Sequence, residues 1–217
     1  MSSLGTPDSK SILLLVGVVA VGAVFIIAIA LLSNRPQKAA VITALPYSDP
    51  ESGIVFTAPA TWSVGADSGA FLKIRSVKLD SIQTQRSTCA NYSTTTSKSI
   101  QLALKDNLSS ASETWRKEFP GLRHAETVQT KSGVALLGVD TCNTSLTRKT
   151  LTLRGQTYRN NTEVRFEVTL TPPTTAENTS EPSSSILNAF ADDLIQGAGG
   201  EQQATFTGFV QTLRSIE

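Results

Sequence analysis

An uninterrupted apolar run near the amino terminus limits this chain more than any other feature. Residues 12–32 form a run of 21 positions without a charged side chain, and a helix of that length measures about 31 Å. A bilayer core is about 30 Å thick, so the run can cross it as one helix. A helix of a soluble core would show a polar face, and this run has none. We therefore predict a transmembrane helix at residues 11–33, in contact with membrane lipid, behind a short tail of residues 1–10.

A cleaved signal peptide is the alternative interpretation of the same run. Signal-peptide cores usually span about 7–15 residues, follow a basic segment and end at a small-residue cleavage site. Here Asp8 offsets Lys10, and the Ala-Ile-Ala pattern at 28–30 lies inside the apolar run rather than after it. These features favour a retained single-pass signal-anchor.

The cysteines indicate on which side of the membrane the rest of the chain lies. Lys10 precedes the apolar run and Arg35 and Lys38 follow it, so the positive-inside rule gives little preference. The chain has two cysteines, Cys89 and Cys142, and an even number fits one disulfide of the kind that persists outside the cytoplasm. Buried free thiols are the alternative.

Sequons for glycosylation occur at Asn91, Asn107, Asn143, Asn160 and Asn178. We expect a cell-membrane protein with its C-terminal domain outside the cytoplasm.

The rest of the chain is predicted to form one extracytoplasmic domain behind a spacer. Residues 34–52 contain prolines and scattered polar side chains, which is typical of an extended linker. Residues 53–217 suffice for one domain of ordinary size. The net charge is +1, and this balance argues against a nucleic-acid partner.

Residue periodicity divides this domain into strands and helices. The opening "GIVFTAPATWSV" predicts strand, turn and strand, and residues 70–79 predict a third strand. Apolar residues spaced by three and four between positions 100 and 119 predict one amphipathic helix, and two further helices are predicted near the end of the chain. Between them, two hairpins are predicted to turn at residues 131–133 and at Asn160-Asn161.

The strand after Asn161 shows the clearest alternation in the chain. Val164, Phe166, Val168 and Leu170 alternate with Arg165, Glu167 and Thr169. This pattern predicts one face on a core and the other on water. Together with the hairpins it predicts an α+β fold, in which helices cover an antiparallel sheet.

The opening stretch, with Pro59 and Trp62, resembles the start of Mog1/PsbP-like domains. The central helix followed by paired long strands, and the closing "FTGFVQTLRSI", are similar to that family as well. The resemblance covers about residues 52–217 and implies an α/β/α sandwich. It also implies a binding or assembly module rather than an enzyme. The membrane anchor and the cysteine pair depart from the family pattern, so the partners of that family are not carried over.

The sequence contains little that points to a reaction. A single histidine, His124, excludes metal signatures that need two histidines. The cysteines lie too far apart for a Cys-X-X-Cys redox site. We predict no catalytic, cofactor-binding or metal-binding residues, and assign Cys89 and Cys142 to a disulfide.

These observations predict a non-catalytic, membrane-anchored binding or assembly module outside the cytoplasm. Its expected partner is a protein or another component of the cell envelope. Two alternatives stay open: a pilin-like or filament subunit held by its apolar helix, and a secreted protein of the same fold after signal cleavage.

Overall fold

A computed structural model describes residues 43–142, 150–173 and 184–217 of this chain. The predicted tail, the predicted transmembrane helix and the first part of the predicted linker lie outside these ranges. Among the helices that are described, none combines the length and the apolar character needed to cross a membrane.

The described residues form ten strands and four helices. In chain order they are β1 (Ala44–Ser48), β2 (Val55–Pro59), β3 (Val64–Gly65), β4 (Leu72–Lys78), β5 (Gln85–Arg86), β6 (Asn91–Tyr92), α1 (Thr94–Asp106), α2 (Leu108–Glu118), β7 (Leu122–Gln129), β8 (Val134–Asp140), β9 (Leu151–Arg159), β10 (Thr162–Leu170), α3 (Ser184–Gln196) and α4 (Gln203–Arg214). Two short 3-10 turns, Leu79–Ser81 and Gly200–Gln202, complete the set.

Six strands form the main sheet, in the order β3-β4-β10-β9-β8-β7. Both predicted hairpins are present, and at the second one Asn160 and Asn161 adopt positive φ angles of 50° and 56°. The sheet is mixed rather than purely antiparallel, because β3 runs parallel to β4 for two residues. A short loop, in which Ala70 N–H donates to Asp67 Oδ1 at 3.2 Å, returns the chain between these two strands. The α+β class is thus confirmed, with a mixed sheet and four helices.

The second half of the predicted linker is a strand rather than a spacer. β1 pairs with β2 along its whole length in a two-stranded antiparallel ribbon. Tyr47 of β1 stacks on Phe56 of β2 with ring centroids 5.7 Å apart. Pro46 does not prevent this pairing, because a proline is tolerated on an edge strand. The folded region therefore begins before the residue 53 expected from the sequence.

The predicted central helix is divided in two at Asn107. The backbone of Asn107 is extended, with φ −150° and ψ 88°, and its side chain accepts a hydrogen bond from Ser110 N–H to cap α2. Asparagine favours this geometry because its side-chain oxygen replaces a backbone partner. The apolar stripe survives the break, since Ile100, Ala111 and Trp115 are all buried.

The two faces of the main sheet are covered by different layers. On the apolar face, Val164, Phe166 and Val168 of β10 pack in one cluster with β2, α3 and α4. On the opposite face, which we call the charged face, β10 places Glu163, Arg165 and Glu167. Helices α1 and α2 cover part of that face through a second cluster that includes Ile100, Ala111, Trp115 and Leu136.

Candidate functional site

The predicted disulfide between Cys89 and Cys142 is present in the structure, with Cα atoms 5.4 Å apart. It joins the segment before α1 to the residue two positions after β8. Gly121 makes room for it, because a Cβ at that position would lie 2.3 Å from the Cβ of Cys142. The bond therefore fastens the helices of the charged face to the sheet.

The remaining groups considered from the sequence do not assemble into a reaction centre. His124 is half-buried on the edge strand β7, and its Nε2 lies 3.4 Å from Glu126 Oε2. Trp115 is buried, and its Nε1 donates to Gln156 Oε1 at 2.8 Å. Within the described ranges, no group of three or more His, Cys, Asp or Glu side chains is placed to hold a metal ion.

A buried charged network lies on the charged face, where the sequence predicted contact with water. Glu163 accepts hydrogen bonds from Tyr92 Oη at 2.8 Å, from Ser97 Oγ at 2.5 Å and from Arg165 Nε at 2.5 Å. Arg165 also donates to Glu118 Oε1 at 2.7 Å. The guanidinium carbon of Arg165 lies 3.7 Å from the centroid of the Tyr92 ring. The prediction of contact with water is therefore corrected for Arg165, whose side chain is 15% exposed, whereas Glu167 is 34% exposed and Thr169 is exposed as predicted.

A second arginine extends this network toward the disulfide. Arg154 Nε donates to Asp140 Oδ2 at 2.7 Å, and Arg154 Nη1 pairs with Glu167. The other oxygen of Asp140 accepts from Cys142 N–H at 2.9 Å. The side chain of Asp140 is fully buried. It links the ion pair with Arg154 to the backbone of Cys142, just after the end of β8.

Burial changes the acid–base properties of the network. Desolvation raises the pKa of Glu118 to about 7, although the charge of Arg165 acts in the opposite direction. Burial also opposes the charge of Arg165, but Glu163 and Glu118 more than offset it, so its pKa lies above the ordinary value. Glu118 Oε2 is buried without a hydrogen-bond partner among the described residues. These groups bond to one another beneath helices, which suits a structural role.

The sequence missed this network because the alternation of β10 gave no sign of a second covering layer. One signal was present, since three charged residues alternate with apolar ones at 163, 165 and 167, and a carboxylate ends both α2 (Glu118) and β8 (Asp140). Long side chains can bury their stems and still form ion pairs. The charged side chains of β10 do so here because α1 and α2 cover this face of the sheet.

A groove opens at the other end of the sheet, between the β1–β2 ribbon and the edge strands. Its volume is about 390 Å³, within the usual range for binding clefts. Its apolar lining is Tyr47, Phe56, Val64 and Ile74; its polar lining includes Ser48, Asp49, Glu51, Arg75 and Ser76. Mixed lining of this kind suits a ligand that has both apolar and hydrogen-bonding groups.

Asp49 holds the wall of this groove in place. Its Oδ2 accepts from Ser52 N–H at 2.9 Å and from Ser76 Oγ at 2.7 Å, and also from the hydroxyl of Ser52. These bonds connect the turn after β1 to the edge strand β4. The groove is therefore built from fixed elements.

A second depression lies at the start of β4, beside Trp62 and Phe71. The two rings are tilted, with centroids 5.0 Å apart, and Phe71 is 39% exposed. Exposed large apolar side chains are informative where they cluster beside a cleft. The β3–β4 edge thus carries apolar surface on both of its sides.

Comparison with protein-family models, with curated proteins and with solved structures finds no match for this chain. The Mog1/PsbP-like resemblance therefore stays a prediction from the sequence.

Proposed function

We propose that this chain is a non-catalytic, single-pass membrane-anchored module whose domain lies outside the cytoplasm and binds a protein or cell-envelope partner. The apolar run at 12–32 supports the anchor, and the Cys89–Cys142 disulfide supports the location. The α+β layers agree with a Mog1/PsbP-like sandwich, which we propose as the fold family.

The observation that carries the binding function is the groove beside an incompletely paired edge strand. Its apolar lining includes the half-buried side chains of Tyr47, Val64 and Ile74. The edge of β4 beside it is paired by β3 at only two positions. Edge strands next to apolar clefts are used for recognition of extended segments.

Photo-crosslinking tests the binding function in the full chain within its own membrane. A crosslinking residue at position 66, where Ala66 is exposed at the groove, is expected to capture a second polypeptide. The same residue at position 102 of α1 is the control, because Leu102 is 60% exposed and lies outside the groove. Equal crosslinking from both positions, or none from position 66, contradicts the proposal.

A paired substitution shows whether the groove itself is needed. Tyr47→Ala removes part of the apolar lining and is expected to reduce the crosslink from position 66 several-fold. Leu45→Ala is the matched control, since Leu45 lies on the same strand and is exposed outside the groove. An unchanged crosslink in Tyr47→Ala rules out the groove as the binding surface.

Fractionation tests the anchor and the location together. The protein should stay with membranes after alkaline carbonate washing, and thiol reagents should label neither cysteine until the protein is reduced. Recovery of a soluble form starting near residue 31 favours the cleaved alternative. Labelling of both thiols without reductant contradicts an extracytoplasmic domain.

A further inference from the structure

The outer edge of β4 is open along most of its length. β3 pairs with β4 only at Leu72 and Lys73, and residues 74–78 have no strand beside them on that side in the part of the chain that is described. Leu72 N–H points outward to Ser63 O at 3.0 Å. Because a strand alternates with a period of two, the backbone groups of Ser76 and Lys78 point to the same edge.

This open edge is basic. β4 has the sequence LKIRSVK, with three basic and no acidic side chains. Within the described ranges, none of Lys73, Arg75 and Lys78 takes part in a salt bridge. Glu167, the cross-strand neighbour of Lys73, is paired with Arg154 instead. β4 thus carries three basic side chains without a salt bridge among the described residues, while the nearby carboxylates of Asp49 and Glu51 belong to the lining of the groove.

The two sides of β4 differ in chemistry. Ile74 and Ser76 line the groove on the side of the β1–β2 ribbon, together with Val64 and Tyr47. Arg75 projects to the opposite face, since successive side chains of a strand alternate. A strand added beside β4 would follow the same alternation. It would place apolar side chains over the groove and its other side chains beside Arg75.

We propose that the partner contributes an extended segment that pairs with the outer edge of β4 and carries acidic and apolar side chains in alternation. This inference rests on the proposed binding function and names the chemistry of its partner. The acidic side chains pair with Arg75 and with the neighbouring Lys73, and the apolar side chains enter the groove beside Tyr47 and Ile74. Backbone hydrogen bonds to the edge at Ser76 supply the rest of the interaction.

A second copy of this chain fits the same edge poorly. Antiparallel pairing of two β4 edges would bring six basic side chains and no acidic one onto neighbouring strands, with Arg75 opposite its own copy in the symmetric register. Like charges across neighbouring strands are destabilising. The charge of β4 thus protects the edge against pairing with itself and favours an acidic partner.

A synthetic peptide tests the charge requirement directly. The probe is a fluorescently tagged peptide of alternating Glu and Val, titrated against the full chain in detergent micelles and followed by fluorescence anisotropy. The analogue with Gln in place of Glu is expected to bind roughly tenfold more weakly, and the Glu peptide should weaken as salt is added. Equal binding of the two peptides overturns the acidic partner.

A proline substitution tests strand addition separately from charge. Ser76→Pro removes the outward N–H and places a ring on the open edge, while the bonds of β4 to β10 through its other residues are kept. The Glu-Val peptide should then bind roughly tenfold more weakly or not at all. Ser76→Ala is the matched control, because it loses the same hydroxyl, and with it the bond to Asp49, but keeps the N–H, and it should bind more tightly than Ser76→Pro. Equal binding by Ser76→Pro and Ser76→Ala overturns strand pairing.

Charge reversal completes the design. Arg75→Glu should abolish binding of the acidic peptide, whereas Lys105→Glu, an equal change in charge at the exposed end of α1, should leave it unchanged. Equal loss in both variants shows a general effect of net charge and overturns the assignment to this edge. Dimers that disappear in Ser76→Pro likewise overturn it, in favour of a second copy.

The outcomes separate this inference from the function on which it rests. If the peptides do not bind but position 66 still crosslinks to a partner in membranes, the acidic strand is wrong and the binding module stands. If position 66 also yields no crosslink, both are wrong.

Discussion

The two faces of the main sheet are built from the same strands but are stabilised by different forces. On β10, Phe166 is fully buried on the apolar face and its ring meets Phe56 edge-on at 5.4 Å. Its neighbour Arg165 lies on the charged face, held by Glu163 and Glu118. Burial of Phe166 is favourable by itself, because apolar area leaves water. Burial of Arg165 is tolerated only because its partners are present.

The apolar face should therefore tolerate a smaller side chain, whereas the charged face needs both partners of each ion pair. A smaller apolar side chain leaves a cavity, which the surrounding side chains can partly fill. Removal of one charge from a buried pair leaves the other without compensation. The charged face is also the one that the disulfide fastens.

The largest effect is expected on the apolar face. Phe166→Ala should lower the free energy of unfolding by about 4 kcal/mol, because a large buried ring is removed and a cavity remains. Urea unfolding followed by tryptophan fluorescence measures this. Thr169→Ala, on the exposed part of the same strand, should change stability by less than about 0.5 kcal/mol. Similar losses in both variants contradict the assignment of the core.

The disulfide is the next largest contribution. Replacement of both Cys89 and Cys142 by Ser should lower stability by about 3–4 kcal/mol, since the bond closes a long loop of the unfolded chain. The same unfolding measurement, compared with the parent protein in the reduced state, isolates the bond from the side-chain change. A double variant as stable as the oxidised parent refutes a stabilising role.

Removal of one charge tests whether the charged face must be complete. Arg165→Met should cost about 3 kcal/mol, because Glu163 and Glu118 then stay buried without their cation. The triple variant Arg165→Met, Glu163→Gln and Glu118→Gln should recover much of that loss, because no uncompensated charge remains. If the triple variant is less stable than Arg165→Met alone, the network contributes through hydrogen bonds rather than through charge balance.

The smallest effect is a pH dependence from Glu118. Its pKa is raised from 4.5 to about 7 in the folded protein, so the folded state holds this proton over a pH range in which the unfolded chain has lost it. Stability should therefore fall by about 2 kcal/mol between pH 5 and pH 7, and change little through this group above that range. Denaturant midpoints measured across this range give the slope.

Glutamine substitutions separate this effect from the titration of other groups. Glu118→Gln should remove this part of the slope, while Glu113→Gln, exposed on the same helix, should keep it. An identical slope in Glu118→Gln shows that another group titrates.

The long hairpins and the apolar stripes follow from local patterns. The Asn160-Asn161 turn was predictable because asparagine tolerates positive φ angles, and the stripe of α4 was predictable because its period is that of a helix. The disulfide was predictable only as a pairing of the two cysteines in the chain. Its place in the fold depended on the position of α1 relative to β8.

The candidate groove was not predictable, because it joins segments that are distant in the chain. Residues 44–51 were expected in a linker, but residues 44–48 pair with β2, where Tyr47 stacks on Phe56. The open edge of β4 could not be foreseen either. It results from β3 being two residues long, and strand propensity depends too strongly on context to predict such a length.

The sequence by itself determined what local chemistry dictates: the uncharged run at the amino terminus, the α+β class, the turns and the alternation of β10. The tertiary structure alone decided which of the alternating faces would be covered, and with what. Arg165 and Glu163 would face water on a sheet covered on one side. Here Glu163 is buried and Arg165 is largely covered, because β6, α1 and α2 bring Tyr92, Ser97 and Glu118 to them. A side chain's period along a strand is a property of the backbone, but its environment is a property of what packs against it.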